Sequence, residues 1–117
     1  REVYYIKRLR FADNIPVALE STYIPAALFR DLKEEDLEAK ALYDIMRDQY
    51  GVVPSTAEES ISAVNLGEKE AIYLGVNKGV AALQVERFTY SLETCIEYTI
   101  GFIRSEIFRF HVNLDRP

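Results

Sequence analysis

The chain has 117 residues, 49% of them hydrophobic and 28% charged, with a net charge of -5 at neutral pH. That is enough apolar material for one domain with its own core, while the acidic balance and scattered Lys and Arg argue against a nucleic-acid surface. Cys95 is the only cysteine, so no internal disulfide is available and a reducing, cytoplasmic setting is expected; no apolar run approaches the ~20 residues of a membrane helix.

The opening REVYY lacks an initiator methionine and reads as the start of a fragment cut from something longer. Residues 3–11 alternate as a strand, with Tyr4, Ile6, Arg8 and Arg10 on one side and Val3, Tyr5, Lys7, Leu9 and Phe11 on the other. ADNIP is turn chemistry, because Asp13 and Asn14 tolerate positive φ and Pro16 resists a central ladder. VALESTYI is the return strand. A two-residue loop at Asp13 and Asn14 pairs Arg10 with Val17 and sends Glu20 to the opposite face. A three-residue loop over 13–15 pairs Arg8 with Glu20 and is the favoured reading, since Pro16 then sits at the loop edge.

A short helix is expected from Pro25, then an acidic connector or helix start over KEEDLEAK. Residues 38–50 carry Leu42, Ile45, Met46 and Tyr50 at helical spacing, with Gly51 as the stop. The segment 56–66 reads as a strand, GEKEAIYLGV as a two-turn helix and NKG as a turn. VAALQVERFTYS and TCIEYTIGFI are β-rich and joined by the hairpin-sized SLET. FRFHVNL alternates Phe108, Phe110, Val112 and Leu114 against Arg109, His111 and Asn113, a third strand of a closing meander. The fold class is therefore α+β, an antiparallel sheet with helices packed on it, in one domain over residues 1–117.

Conventional chemistry finds little support. His111, the only histidine, lacks a second ligand at i+3 or i+4 and reads as an exposed strand residue, so no metal site is expected. No GxSxG or activated cysteine accompanies it. Cys95, among acids in LETCIEY, reads as a buried or half-buried strand residue. The five glycines are dispersed, so no phosphate-cradling loop exists and no cofactor is indicated. The acid runs at 34–36 and 58–59 read as solvated faces. Arg8, Arg10, Glu20 and Glu97 leave two readings open. Arg8 and Glu20 form a surface ion pair worth about 0.2–1 kcal/mol. Alternatively, the arginines line a pocket and grip a phosphate or carboxylate, with the glutamates accepting hydrogen bonds from the ligand.

The stretch IKRLRFADNIPVALESTYIP resembles the pattern R-x-R-x-A-D-x-x-P-x-x-x-E-x-x-Y-x-P that opens the main hairpin of UTRA domains. KALYDIMRDQYGV, EAIYLGVNKGVAALQVER and IRSEIFRF follow in that family's order, so the resemblance spans essentially the whole chain. These are effector-binding domains of GntR-type bacterial transcription regulators of the HutC subgroup. The resemblance implies a chorismate-lyase-like fold, homodimers, and operator DNA bound only through an N-terminal winged helix-turn-helix domain absent here. It also implies that UTRA residues upstream of this hairpin are missing. It matches Arg8 and Arg10 to the pair that holds the anionic part of a sugar phosphate, Glu20 and Glu97 to acids facing the effector, and Tyr43 to the tyrosine of the family's SLY. Ala41 replaces that motif's serine, and Ile103, Glu106 and Phe108 depart from the family's Y-R-x-D-R-Y, which points to a ligand other than an amino-sugar phosphate. The expectation is a non-enzymatic sensor domain, a repressor module binding a small anionic metabolite. Its rivals are a dimerisation module with an empty pocket and a chorismate-lyase-like enzyme.

Overall fold

The computed structural model describes residues 2–107, 109 and 111–115. Five antiparallel strands form one sheet in the order β1-β2-β5-β4-β3: β1 Val3–Ala12, β2 Ile15–Pro25, β3 Thr56–Asn65, β4 Ala81–Ser91 and β5 Thr94–Arg104. A single 3-10 turn, Ala26–Leu28, follows β2, and the α-helices are α1 Glu34–Ala39, α2 Leu42–Tyr50 and α3 Glu68–Leu74. The α+β reading holds.

The sheet carries helices on both faces. Leu19 and Ile24 lie five apart in an unbroken stretch of β2, so they point to opposite sides. Leu19 packs with Leu66, Ala71, Leu74 and Ala82 under α3, whereas Ile24 packs with Phe29, Leu42, Met46 and Ile96 under α2. Leu42, Ile45 and Met46 form one buried stripe of α2 at helical spacing, and Gly51 ends the helix in the left-handed conformation, φ 65°.

The first hairpin corrects the expected loop. Ala12 pairs with Ile15 around a two-residue turn at Asp13 and Asn14, whose φ values of 50° and 66° fit a type I′ turn. Arg8 nevertheless pairs with Glu20, because Phe11 faces Pro16 while Arg10 faces Ala18. Val17 is the extra residue of a β-bulge, and it restores the register that the shorter loop alone would have moved.

Three other expectations change. The helix foreseen over 38–50 is divided: α1 ends at Ala39, Lys40 and Ala41 are extended, and α2 starts at Leu42. Breaking there turns Leu42 and Met46 onto the sheet while α1 stays exposed to intermediate in burial. The third strand of the closing meander is absent from the described residues 109 and 111–115, where His111 is exposed but not in a strand; Phe108 and Phe110 lie outside the described residues. Cys95 is on β5 but exposed. It is the second residue of β5, separated from the Leu92–Glu93 turn only by Thr94, and its thiol lies 3.5 Å from the Glu97 carbonyl oxygen.

Candidate functional site

The helix-α2 face of the sheet gathers Arg8, Arg10, Glu20 and Glu97. Arg8, Glu20 and Gly101 form one cross-strand row through β1, β2 and β5. Thr22, Thr99 and Arg87 form the next row, through β2, β5 and β4. Glu97 faces Thr89 one step further along. A second bulge sets up this last pair, since Thr89 pairs with Glu97 but Tyr90 pairs with Cys95, leaving Ile96 as the extra residue. Ile96 and Glu97 are consequently both buried although adjacent in a strand. The first enters the α2 core, and the second meets Tyr43 of α2.

A cavity of about 180 Å³ lies between this face and the start of α2, lined by Arg8, Arg10, Glu20, Thr22, Ala41, Leu42, Tyr43, Arg87 and Glu97. All five residues proposed from sequence, Arg8, Arg10, Glu20, Tyr43 and Glu97, border it. Ala41 is the N-cap of α2 and supplies no side-chain cap, so the first-turn backbone N–H groups keep the unsatisfied donors typical of a helix start.

Glu97 is 3% exposed and is the hub of the site. Its Oε1 accepts hydrogen bonds from the Tyr43 hydroxyl and from Thr89 Oγ1 at 2.6 Å; Oε2 accepts from Thr99 Oγ1 at 2.5 Å and Arg87 Nη2 at 3.2 Å. Burial by itself raises a carboxyl pKa, but the bonds from Thr89, Thr99, Tyr43 and Arg87 outweigh it and hold Glu97 below its ordinary value. Arg87 is the countercharge. Burial opposes its charge, yet the hydrogen bond and Coulomb attraction of Glu97, with Glu59 at 3.1 Å, raise its pKa. Tyr43 is kept protonated by burial first and by its bond to Glu97 second.

The arginines of β1 are placed differently. Arg10 Nε donates to Glu20 Oε1 at 3.0 Å. Arg8 has no carboxylate within ion-pair distance among the described residues, although it stands opposite Glu20 in the ladder. Burial and then repulsion from Arg10 lower its pKa, with Glu20 and Glu97 opposing. Arg8 also borders an adjoining cavity of about 480 Å³ between β1 and α1, lined with Ile6, Lys7, Lys33, Leu37 and Glu38 among others.

Sequence reasoning missed Arg87 and the three threonines Thr22, Thr89 and Thr99. The available signal was a charged residue in the apolar strand LQVERFTY. It gained meaning only through pairing, which sets Arg87 against Thr99 and diagonal to Glu97.

The family described as the UTRA domain matches residues 1–109. The chain belongs to the UTRA family. The transcriptional repressor NagR of Bacillus subtilis is 31% identical over 97% of this UTRA domain, which spans 47% of that protein's length. A transcriptional regulator from Streptomyces coelicolor superposes with a TM-score of 0.86 at 34% identity, covering 100% of this chain and 78% of its own. The ligand-binding domain of a GntR-family regulator from Bordetella bronchiseptica gives 0.85 at 28% identity, with 97% and 73% covered. The UTRA domain thus sits among relatives that are GntR-family transcriptional regulators, and it spans about half the length of the curated ones it matches.

Proposed function

We propose that this UTRA domain is the sensor of a bacterial transcription regulator, binding a small anionic metabolite in the Arg8–Arg10 pocket and thereby altering DNA binding by a separate domain. The observation that carries the reading is Arg8. A half-buried guanidinium without a carboxylate partner among the described residues is costly, and an incoming anion supplies the missing charge through forked N–H donors. The α2 start contributes further donors from the other side of the cavity. Glu97, with both oxygens already engaged, serves to hold Tyr43 and Arg87 in place, whereas Glu20 offers its second oxygen to the ligand.

The proposed regulator is a cytoplasmic homodimer and a repressor, without enzymatic activity of its own, contacting its operator through an N-terminal DNA-binding domain. Effector binding shifts the dimer only if its affinity differs between the DNA-competent and incompetent arrangements. Tyr43 links the pocket to α2 through Glu97, so α2 is the element whose position the ligand biases.

A thermal-shift screen with sugar phosphates, sugar acids, small carboxylates and inorganic phosphate tests this. A ligand at ~100 times its dissociation constant adds ~2.7 kcal/mol of stability. The expected result is stabilisation by one anionic class that disappears in Arg8→Ala. Stabilisation by none of them identifies a domain that makes contacts but senses nothing.

A further inference from the structure

We infer that the pocket selects a singly charged carboxylate with a hydroxyl donor beside it over a doubly charged phosphate ester. This rests on the effector-pocket reading and narrows the ligand class.

The ground is charge balance. Three arginines and two glutamates line the cavity, Arg8, Arg10 and Arg87 against Glu20 and Glu97. Arg87 is bound to Glu97 at 3.2 Å and also to Glu59 at 3.1 Å, and Arg10 is bound to Glu20 at 3.0 Å. Arg8 remains as the one unmatched charge among the described lining residues. The adjoining cavity changes nothing, because Lys7 and Lys33 there are balanced by Glu34 and Glu38. The α2 start adds roughly half a positive charge at most, and Asp44 in its first turn works against it. A monoanion is therefore matched, whereas the second charge of a dianion faces Glu20 and Glu97 with no cation left to meet it.

The acceptors point the same way. Both Glu97 oxygens are engaged, and Thr22 Oγ1 lies 2.8 Å from Thr99 Oγ1. Glu20 Oε2 has no partner among the described residues, and it lies in the same cross-strand row as Arg8. A ligand that places a hydroxyl next to its carboxylate fills both positions at once. At the α2 N-cap, Ala41 brings no hydroxyl to share the extra oxygens of a phosphate. The volume of about 180 Å³ lies below the ~300–1,000 Å³ of pockets for drug-sized ligands.

Isothermal titration of the 117-residue chain with matched pairs tests the inference, using glycerate against glycerol 3-phosphate and gluconate against glucose 6-phosphate. At pH 7.5 at least one carboxylate is expected to bind tenfold or more tighter than its phosphate counterpart. Phosphate esters lose their second proton near pH ~6, so phosphate ester affinity is expected to fall between pH 5.5 and 7.5 while carboxylate affinity stays level. Glu20→Gln keeps an acceptor oxygen but raises the unmatched charge by one, and it is expected to move the preference at least tenfold toward the phosphate ester. A merely structural Glu20 lowers both affinities together, which counts against the inference. Tighter binding of the phosphate ester by the unsubstituted chain at pH 7.5 overturns the charge argument alone. Binding of neither class overturns the pocket reading as well. The pH series on the unsubstituted chain stands whether or not the variant folds.

Discussion

Arg8 and Glu20 are direct neighbours across the β1–β2 ladder, yet Glu20 gives its ion pair to Arg10 and leaves Arg8 without one among the described residues. The surface-pair reading therefore fails for Arg8 and applies to Arg10, whose side chain is 53% exposed. Arg10→Ala is expected to change stability by no more than about 1 kcal/mol, as for other exposed pairs. Arg8→Ala removes a like-charge contact and is expected to leave the urea midpoint unchanged or slightly higher. In the same variant anion affinity falls by about 1.5–3 kcal/mol, the worth of a charge-assisted bond. A large stability loss in Arg8→Ala would show that its role is structural.

Glu97→Gln places an amide N–H₂ among four donors and strips Arg87 of its buried countercharge. Breaking such a pair costs about 3–5 kcal/mol when both members are buried; Arg87 is 28% exposed, so about 3 kcal/mol is expected in urea unfolding. A loss under ~1 kcal/mol, the size of a surface pair, would mean that the network contributes little.

The pH dependence has a definite sign. The pKa of Glu97 is lower in the fold than in the unfolded chain, so its contribution is fully present above the ordinary glutamate value of about 4.3 and is lost as pH falls through the folded value. The stability gap between the unsubstituted chain and Glu97→Gln is expected to be constant from pH 7 to 5 and to narrow below about pH 4.3. Chemical denaturation at a series of pH values measures it, and a gap that widens on acidification contradicts the assignment.

Tyr43→Phe deletes the only hydroxyl that ties α2 to Glu97 among the described residues. A loss of about 1–2 kcal/mol is expected, as for a hydrogen bond to a charged group that is partly solvated. Amide hydrogen exchange should rise in α2 while the buried β5 segment around Ile96 keeps its protection. Uniformly faster exchange would show that Tyr43 supports the whole fold.

The turn offers a stability test far from the pocket. Asn14 sits at φ 66° in the second position of the Asp13–Asn14 turn, where glycine is the better residue. Asn14→Gly is expected to raise stability by a few tenths of a kcal/mol, and Asn14→Val to lower it by roughly 1–2 kcal/mol through left-handed strain. Thermal melts of the two variants give the comparison, and a shift in the same direction for both would refute the turn assignment.

Much of the fold was legible because its signals are local. Alternation in residues 3–11 and the β-branched and aromatic content of residues 80–91 and 94–103 marked strands, the spacing of Leu42, Ile45 and Met46 marked a helix, and Gly51 marked its end. The order of motifs identified the family and added Tyr43 to the candidates Arg8, Arg10, Glu20 and Glu97, and the fold places all five around one cavity. Alternation failed at 111–114, which lie in no strand, and it failed at bulges. The rule that one residue of slip turns every side chain over is correct, but Val17 and Ile96 each insert such a slip at a place the chain does not announce.

The amino-acid sequence by itself determined which residues were strand and helix formers, where the chain turns, and which arginines and glutamates were available, since these depend on neighbours a few positions apart. Tertiary structure decided who pairs with whom. Only the assembled sheet gives Glu20 to Arg10, joins Glu97 to Arg87 and Tyr43, and leaves Arg8 unmatched among the described residues. The energy of a charge depends on every charge and dipole within several ångströms, and those neighbours come from β1, β2, β4, β5 and α2 together.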